Sequence, residues 1–137
     1  MSFVLDASVT IAWFHKDEGT AATNELLARA PISGIWVPAH WPVEVANAFQ
    51  QGVRRGRMTM DHRNAALASL ASLPVAVDPD TAIHAWARTL DLSTRFRLTV
   101  YDAAYLELAM RRGLPLATLD RDLRAAASAA GVPLLAL

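Results

Sequence analysis

The chain has no cysteine, so it has no disulfide framework, no thiolate nucleophile and no Cys-ligated zinc; a reducing compartment suits it, and the cytoplasm is the expected location. Lysine occurs once, at Lys16, and arginine supplies the rest of the 13 basic residues, which 13 acidic residues balance. With no net charge, attraction to nucleic acid or an anionic membrane has to come from local patches. No uncharged apolar run approaches the roughly 20 residues that span a bilayer, and no basic segment opens the chain, so neither membrane insertion nor export is expected. Only 6 Gly and 7 Pro interrupt 137 residues, of which 53% are hydrophobic and 19% charged. Disorder and low complexity are thereby excluded, leaving a single expected domain, 1–137, with a core large enough to fold without a structural metal.

What is present alternates between strand and helix. Phe3-Val4-Leu5 is a short apolar run stopped by Asp6, and after Ser8 the segment 9–13 turns helical. A helix over 19–30 should stop before Pro31, and Ile35-Trp36-Val37 reads as a second strand closed by Pro38. Over 39–55 a third helix carries Val45, Phe49 and Val53 on one stripe and Glu44, Asn47 and Gln51 on a polar stripe beside it. There follow a helix over 61–73, a weak strand over 75–77, a helix begun by Asp78-Pro79-Asp80 and running to about 90, a loop over 91–97, a helix opened by Asp102 and ended by Gly113, a strand over 114–119, a helix to 130 and a last strand over 134–136. Four or five short strands so separated predict an α/β fold, a parallel sheet covered on both faces, with ligands beyond the strands' carboxyl ends.

Acids occupy that end. Asp6 and Asp120 directly follow apolar strands, where a charge is awkward unless the sheet opens there on a site. Asp102 begins a helix and Glu44 lies in the first turns of another, so all four can reach one mouth of the sheet. Four carboxylates a few ångströms apart repel by several kcal/mol, about 4 per pair at an intermediate dielectric, and persist only when protons or cations neutralise them. One or two Mg²⁺ or Mn²⁺ ions suit an all-oxygen site, while His15, His40, His62 and His84 are too scattered to suggest zinc. Each acid also has a plainer use. Asp102, Asp61 and Asp120 can cap helices, and Glu44 can answer a helix dipole, although Trp41 at the cap before Pro42 has no hydroxyl for a capping box. Asp6 can cap as well, but Ser8 competes for that place.

Taken in order, Val4-Leu5-Asp6-Ala7-Ser8, Trp41-Pro42-Val43-Glu44-Val45-Ala46-Asn47-Ala48, Thr99-Val100-Tyr101-Asp102-Ala103-Ala104-Tyr105-Leu106 and Leu116-Ala117-Thr118-Leu119-Asp120-Arg121-Asp122-Leu123 resemble the four acidic motifs of PIN-domain ribonucleases, specifically the VapC-type toxins of bacterial toxin-antitoxin pairs. The resemblance spans nearly the whole chain, and no acid is missing. It implies a three-layer α/β/α fold with a four- or five-stranded parallel sheet, and a divalent-metal site at Asp6, Glu44, Asp102 and Asp120. Ser8, Asn47 and Thr118 match the family's polar supporting positions, while Asp122 either shares the fourth role or faces solvent. The implied activity is endoribonuclease cleavage leaving 5′-phosphate and 3′-hydroxyl ends. A homodimer and a VapB-like antitoxin, whose C-terminal segment lies along an apolar groove, are the implied partners; helices 9–14 and 21–30 carry more apolar surface than a small sheet requires, and another chain is expected to bury some of it.

For RNA phosphates, Arg95, Arg97 and Arg121 are the candidates because they neighbour the Asp102 and Asp120 motifs, whereas Arg54, Arg55, Arg111 and Arg112 read as solvated helix ends. The tryptophans, Phe14, Phe49 and the tyrosines read as core or interface residues. Two other functions share the acidic pattern: a receiver-like phosphoacceptor domain, which needs a lysine near Asp6 and has only Lys16 to offer, and a non-catalytic interaction module in which the acids are caps.

Overall fold

The computed structural model describes residues 1–15 and 17–137; Lys16 lies outside the described residues. Strands β1 (Phe3–Leu5), β2 (Ile35–Val37), β3 (Val75–Val77) and β4 (Leu116–Ala117) form one parallel sheet in the order β3-β2-β1-β4. The expected fifth strand contributes only a bridge, Leu116 to Leu134, and the strand expected over 114–119 shortens to two residues because Pro115 precedes it and Thr118 turns its hydroxyl toward Asp6. Helices α1 (Ala7–Ala12), α2 (Ala21–Ser33), α3 (Trp41–Arg54) and α4 (Met60–Ala71) connect the first three strands. Thr81–His84 (α5), a π-helical turn Ala85–Thr89, α6 (Leu90–Phe96) and α7 (Val100–Arg112) lead from β3 to β4, and α8 (Arg121–Ala129) follows. The order reverses after β3. Right-handed crossovers therefore put α1–α4 on one face and α5–α8 on the other, giving the three layers, and α1 packs on α3, α3 on α4, and α7 on both α6 and α8.

β1 is the centre of the core. Phe3, Val4 and Leu5 are fully buried between both layers, as are Val9, Phe49, Tyr105, Leu106 and Leu108. Each such side chain contributes roughly 1.5–3 kcal/mol by leaving water, so truncating Leu5 to Ala should cost about 2–5 kcal/mol. The Val45, Phe49, Val53 stripe of α3 is the buried one, as its spacing predicts.

Three local expectations are corrected. Residues 91–97 are helical rather than looped up to Phe96: Leu92 is the only fully buried side chain of α6, too few apolar positions to announce a helix, and Arg97 ends it in a left-handed conformation, φ 55°. α2 runs past Pro31 to Ser33, since Pro31 sits in the last turn and forfeits one hydrogen bond only. The apolar surface of α1 and α2 is mostly consumed within the chain, where Trp13 donates its indole N–H to Thr23 O at 2.8 Å and Leu26 and Ala30 are buried. Ile32, in the last turn of α2, is the exception and stays exposed. Trp86 is 93% exposed and Tyr101 66% exposed, so neither belongs to the core.

Arg111 and Arg112 are not solvated ends. Arg111 bridges the buried Asp78 and the buried Glu107, pairing with Glu107 Oε2 at 2.8 Å and Asp78 Oδ1 at 3.1 Å, while Arg112 stacks 3.6 Å above the Trp36 ring. Burial opposes ionisation of Asp78, but hydrogen bonds from Arg111 and Thr81 win and hold its carboxyl at about 2. This network locks the far end of α7 to β2 and β3.

Candidate active site

Register places the first acid. β1 pairs Leu5 with Ala117, and the Asp6 N–H donates to Ala117 O at 3.0 Å, so Asp6 stands beside Thr118 at the carboxyl end of the sheet. Asp6 is only 3% exposed. The Ser8 and Thr118 hydroxyls donate to its Oδ2 at 2.6 and 2.7 Å. Those hydroxyls accept in turn from the Leu119 and Asp120 backbone N–H groups, each at 3.0 Å, which fixes their direction and lets two main-chain dipoles act on one carboxylate. Asp6 is the N-cap residue of α1 by position but its side chain makes no cap bond. Its capping use is thereby set aside. Burial pushes its pKa up, the two hydroxyls pull it down, and Asp120 pushes it up again.

Glu44 and Asp102 face it from opposite layers. The cap of α3 is His40, with Pro42 second in the helix, so Glu44 lies one full turn in. Tyr105 donates its hydroxyl to Glu44 Oε1 at 2.9 Å, and His40 Nε2 lies 3.5 Å from the same oxygen. Burial raises the Glu44 pKa, with Asp6 and Asp102 adding repulsion. Thr99, not Asp102, caps α7 by accepting from the Asp102 N–H at 3.1 Å, so the Asp102 carboxylate is not used as the cap, and the Thr99 hydroxyl pulls its pKa down a little. Burial first, then repulsion from Asp6 and Asp120, pushes Asp102 up to about 6. Asp120 does cap α8, accepting from Leu123 N at 2.8 Å through Oδ2, and so keeps one oxygen for another partner.

The four acids therefore lie near enough to feel one another's charge. Asp6 repels both Glu44 and Asp102, and Asp120 repels Asp6 and Asp102. Among the described residues none of the four is ion-paired with an arginine. Nor do three acid or histidine side chains close into a ready-made cage. Mg²⁺ needs none: it commonly binds through one or two carboxylates and keeps its waters. An oxygen-only donor set, charges held against their own repulsion and no opposing cation fit such an ion.

Of the other expected residues, Asn47 is exposed on the wall of a cleft beside Glu44 and Asp102. Asp122 faces solvent, though close enough to raise Asp102 slightly. Arg95, Arg97 and Arg121 are exposed. Asp61 sits in the first turn of α4, which Thr59 caps. His40 and Tyr105 escaped the sequence reading. Helical spacing held the signal, since Tyr105 is three residues after Asp102 and His40 four before Glu44, and such positions share a helix face.

The strand order is not that of a receiver, whose flavodoxin-like sheet runs 2-1-3-4-5, and Lys16, on which that reading relied, is outside the described residues. The PIN domain profile matches residues 3–129. Ribonuclease VapC3 of Pyrobaculum aerophilum is 31% identical over 128 residues, covering 90% of this chain and 92% of that protein. Ribonuclease VapC3 of Mycobacterium tuberculosis is 32% identical over 123 residues, covering 88% and 83%. The crystal structure of PAE2754 from Pyrobaculum aerophilum matches with a TM-score of 0.68 at 26% identity, over 92% of this chain and 79% of that one. The crystal structure of VapBC2 from Rickettsia felis bound to a DNA fragment from their promoter has the same fold, with a TM-score of 0.64 at 14% identity over 98% and 97%. The chain therefore belongs to the PIN-domain family, together with its VapC-type ribonucleases.

Proposed function

We propose that this protein is a Mg²⁺- or Mn²⁺-dependent endoribonuclease, a cytoplasmic single-domain toxin that pairs with itself and is held inactive by a VapB-like antitoxin. The observation that carries the reading is the mouth of the sheet, where Asp6 repels Glu44, Asp102 and Asp120, and Asp102 repels Glu44 and Asp120. Among the described residues no arginine pairs with any of the four, and burial disfavours the charged form of His40 beside Glu44. One or two ions held there by Asp6, Glu44, Asp102 and Asp120 would supply Lewis-acid chemistry for the phosphoryl oxygens and would lower the pKa of an attacking water.

The chain's residues prepare the place. Asp6, pinned at Oδ2 by Ser8 and Thr118, and Asp102, freed from capping by Thr99, are the ligands. Tyr105 fixes Glu44 at Oε1, leaving Oε2 to ligate or to orient water. Asp120 offers the oxygen that its cap does not use. Arg95, Arg97 and Arg121 give phosphate contacts, and the substrate is single-stranded or loop RNA, whose backbone can enter a cleft. An antitoxin's basic side chain placed among the acids would relieve the same repulsion as an ion does, which makes this site an easy one to inhibit.

The test is cleavage of a mixed RNA pool with Mg²⁺ or Mn²⁺ by the wild type, Asp6→Asn and Asp102→Asn. Cleavage by the wild type that needs the added ion and falls at least about 100-fold in both variants supports the proposal, since each loses a charge that holds the ion. Equal cleavage by all three would defeat it.

A further inference from the structure

A cation held by the acids would meet the scissile phosphate, and phosphate contacts alone carry no base information. Beside the acids lies a cleft of about 400 Å³, lined by His40, Val43, Glu44 and Asn47 from α3 and its cap and by Thr99, Tyr101 and Asp102 from α7 and its cap. Its size falls within the range of small-ligand sites. Tyr101 is 66% exposed and Val43 72% exposed, although Tyr105, one turn further along α7, is fully buried. The Tyr101 ring is not loose. It stands 5.5 Å from the His40 ring, which is itself set edge-on to Tyr105 at 5.2 Å. A large aromatic face is thus held in water, one residue before a carboxylate of the site.

We propose that this wall is a nucleobase subsite: an unpaired RNA base next to the scissile phosphate stacks on Tyr101 against Val43, with the Asn47 amide available to its edge. The proposal rests on the ribonuclease reading. Single-stranded RNA offers splayed bases, and proteins hold them by stacking on aromatic rings, so the residue preceding Asp102 couples the position of a base to that of the phosphate. Each stacked base is worth about 10-fold to 100-fold in binding.

The experiment uses the full chain and short single-stranded RNAs in which one abasic nucleotide is moved along the strand. The expected result is one abasic position beside the cleavage point that lowers wild-type kcat/KM about 10-fold to 100-fold. Tyr101→Ala should show that loss with intact RNA and no further loss with the abasic one, while Tyr101→Phe and Tyr101→Trp keep the wild-type rate. Equal abasic penalties in wild type and Tyr101→Ala would overturn the proposal, as would an unchanged Tyr101→Ala rate. So would a Tyr101→Ala defect confined to oligomeric state, which would mark the wall as a protein interface. If the wild type cleaves no RNA, the nuclease reading fails, and 2-aminopurine fluorescence decides the subsite separately. Quenching in a bound RNA that Tyr101→Ala abolishes supports it, and absent or equal quenching overturns it.

Discussion

Asp102→Asn should stabilise the protein in the absence of divalent ions, contrary to the usual effect of altering a well-packed residue. The Asp102 carboxyl lies at about 6 rather than its ordinary 3.8, because burial and then the charges of Asp6 and Asp120 disfavour the ionised form. A raised carboxylate binds more protons folded than unfolded between about pH 4 and 6, so stability falls as pH rises through that window and stays reduced above it. About two pK units correspond to about 3 kcal/mol, which partial exposure of the side chain reduces to about 1–2 kcal/mol. For a chain of this size that is about 3–8 °C in Tm. Asp6 and Glu44 are shifted the same way and deepen the trend. Asp78, held at about 2, loses its contribution only below the ordinary 3.8, whereas His40, which burial holds below its ordinary 6.5, opposes the trend within the window but does so in wild type and variant alike. Thermal melts in chelator should show the wild type losing stability from about pH 4.5 to 7.5, Asp102→Asn melting higher at the upper pH, and the two converging at the lower. Mg²⁺ or Mn²⁺ should raise the wild-type Tm more than the variant's. A variant no more stable than the wild type at the upper pH, or a difference between the two that does not shrink toward the lower pH, would refute the repulsion argument.

Three other perturbations separate the site from its scaffold. Tyr105→Phe removes the hydroxyl from Glu44 Oε1 and should slow cleavage about 10-fold while costing about 1–2 kcal/mol by urea melt; an unaltered rate would show that Glu44 needs no such support. Arg111→Ala leaves Glu107 buried and unpaired and Asp78 with only Arg112 at 3.5 Å and the Thr81 hydroxyl, so a loss of about 3–5 kcal/mol is expected, and Arg111→Lys should recover only part because one ammonium cannot serve both carboxylates. A loss under about 1 kcal/mol would mean that water reaches the network. Arg97→Gly relieves a left-handed backbone, leaving stability within about 1 kcal/mol of wild type, while KM for RNA should rise if Arg97 meets phosphate; an unchanged KM would remove it from the RNA path.

The sheet and the mouth were legible because charge interrupts apolar runs. Asp6 after Phe3-Val4-Leu5 and Asp120 after the Leu116 strand are the same signal, and adjacency of β1 and β4 turns two chain positions into one site. Caps were less legible. Threonines at 59 and 99 take the cap roles that Asp61 and Asp102 could equally have held, a choice set by backbone angle rather than residue type. Pairings across layers leave no periodic trace either: Tyr105 meets Glu44 across 61 positions, and Arg111 meets Asp78 across 33. Asp78 accordingly reads in sequence as a helix start before Pro79, and only the fold reveals it as half of a buried ion network. α6 hid for the opposite reason, with polar residues all round and Leu92 alone turned fully inward.

The most direct measurement is anomalous diffraction from crystals of the intact chain soaked in Mn²⁺. The expected result is a peak bounded by the carboxylates of Asp6, Glu44, Asp102 and Asp120, lost in Asp6→Asn crystals that keep the fold. Manganese density found only at surface acids such as Asp17, or none within the mouth at saturating ion, would contradict the claim that these acids are gathered to hold a cation.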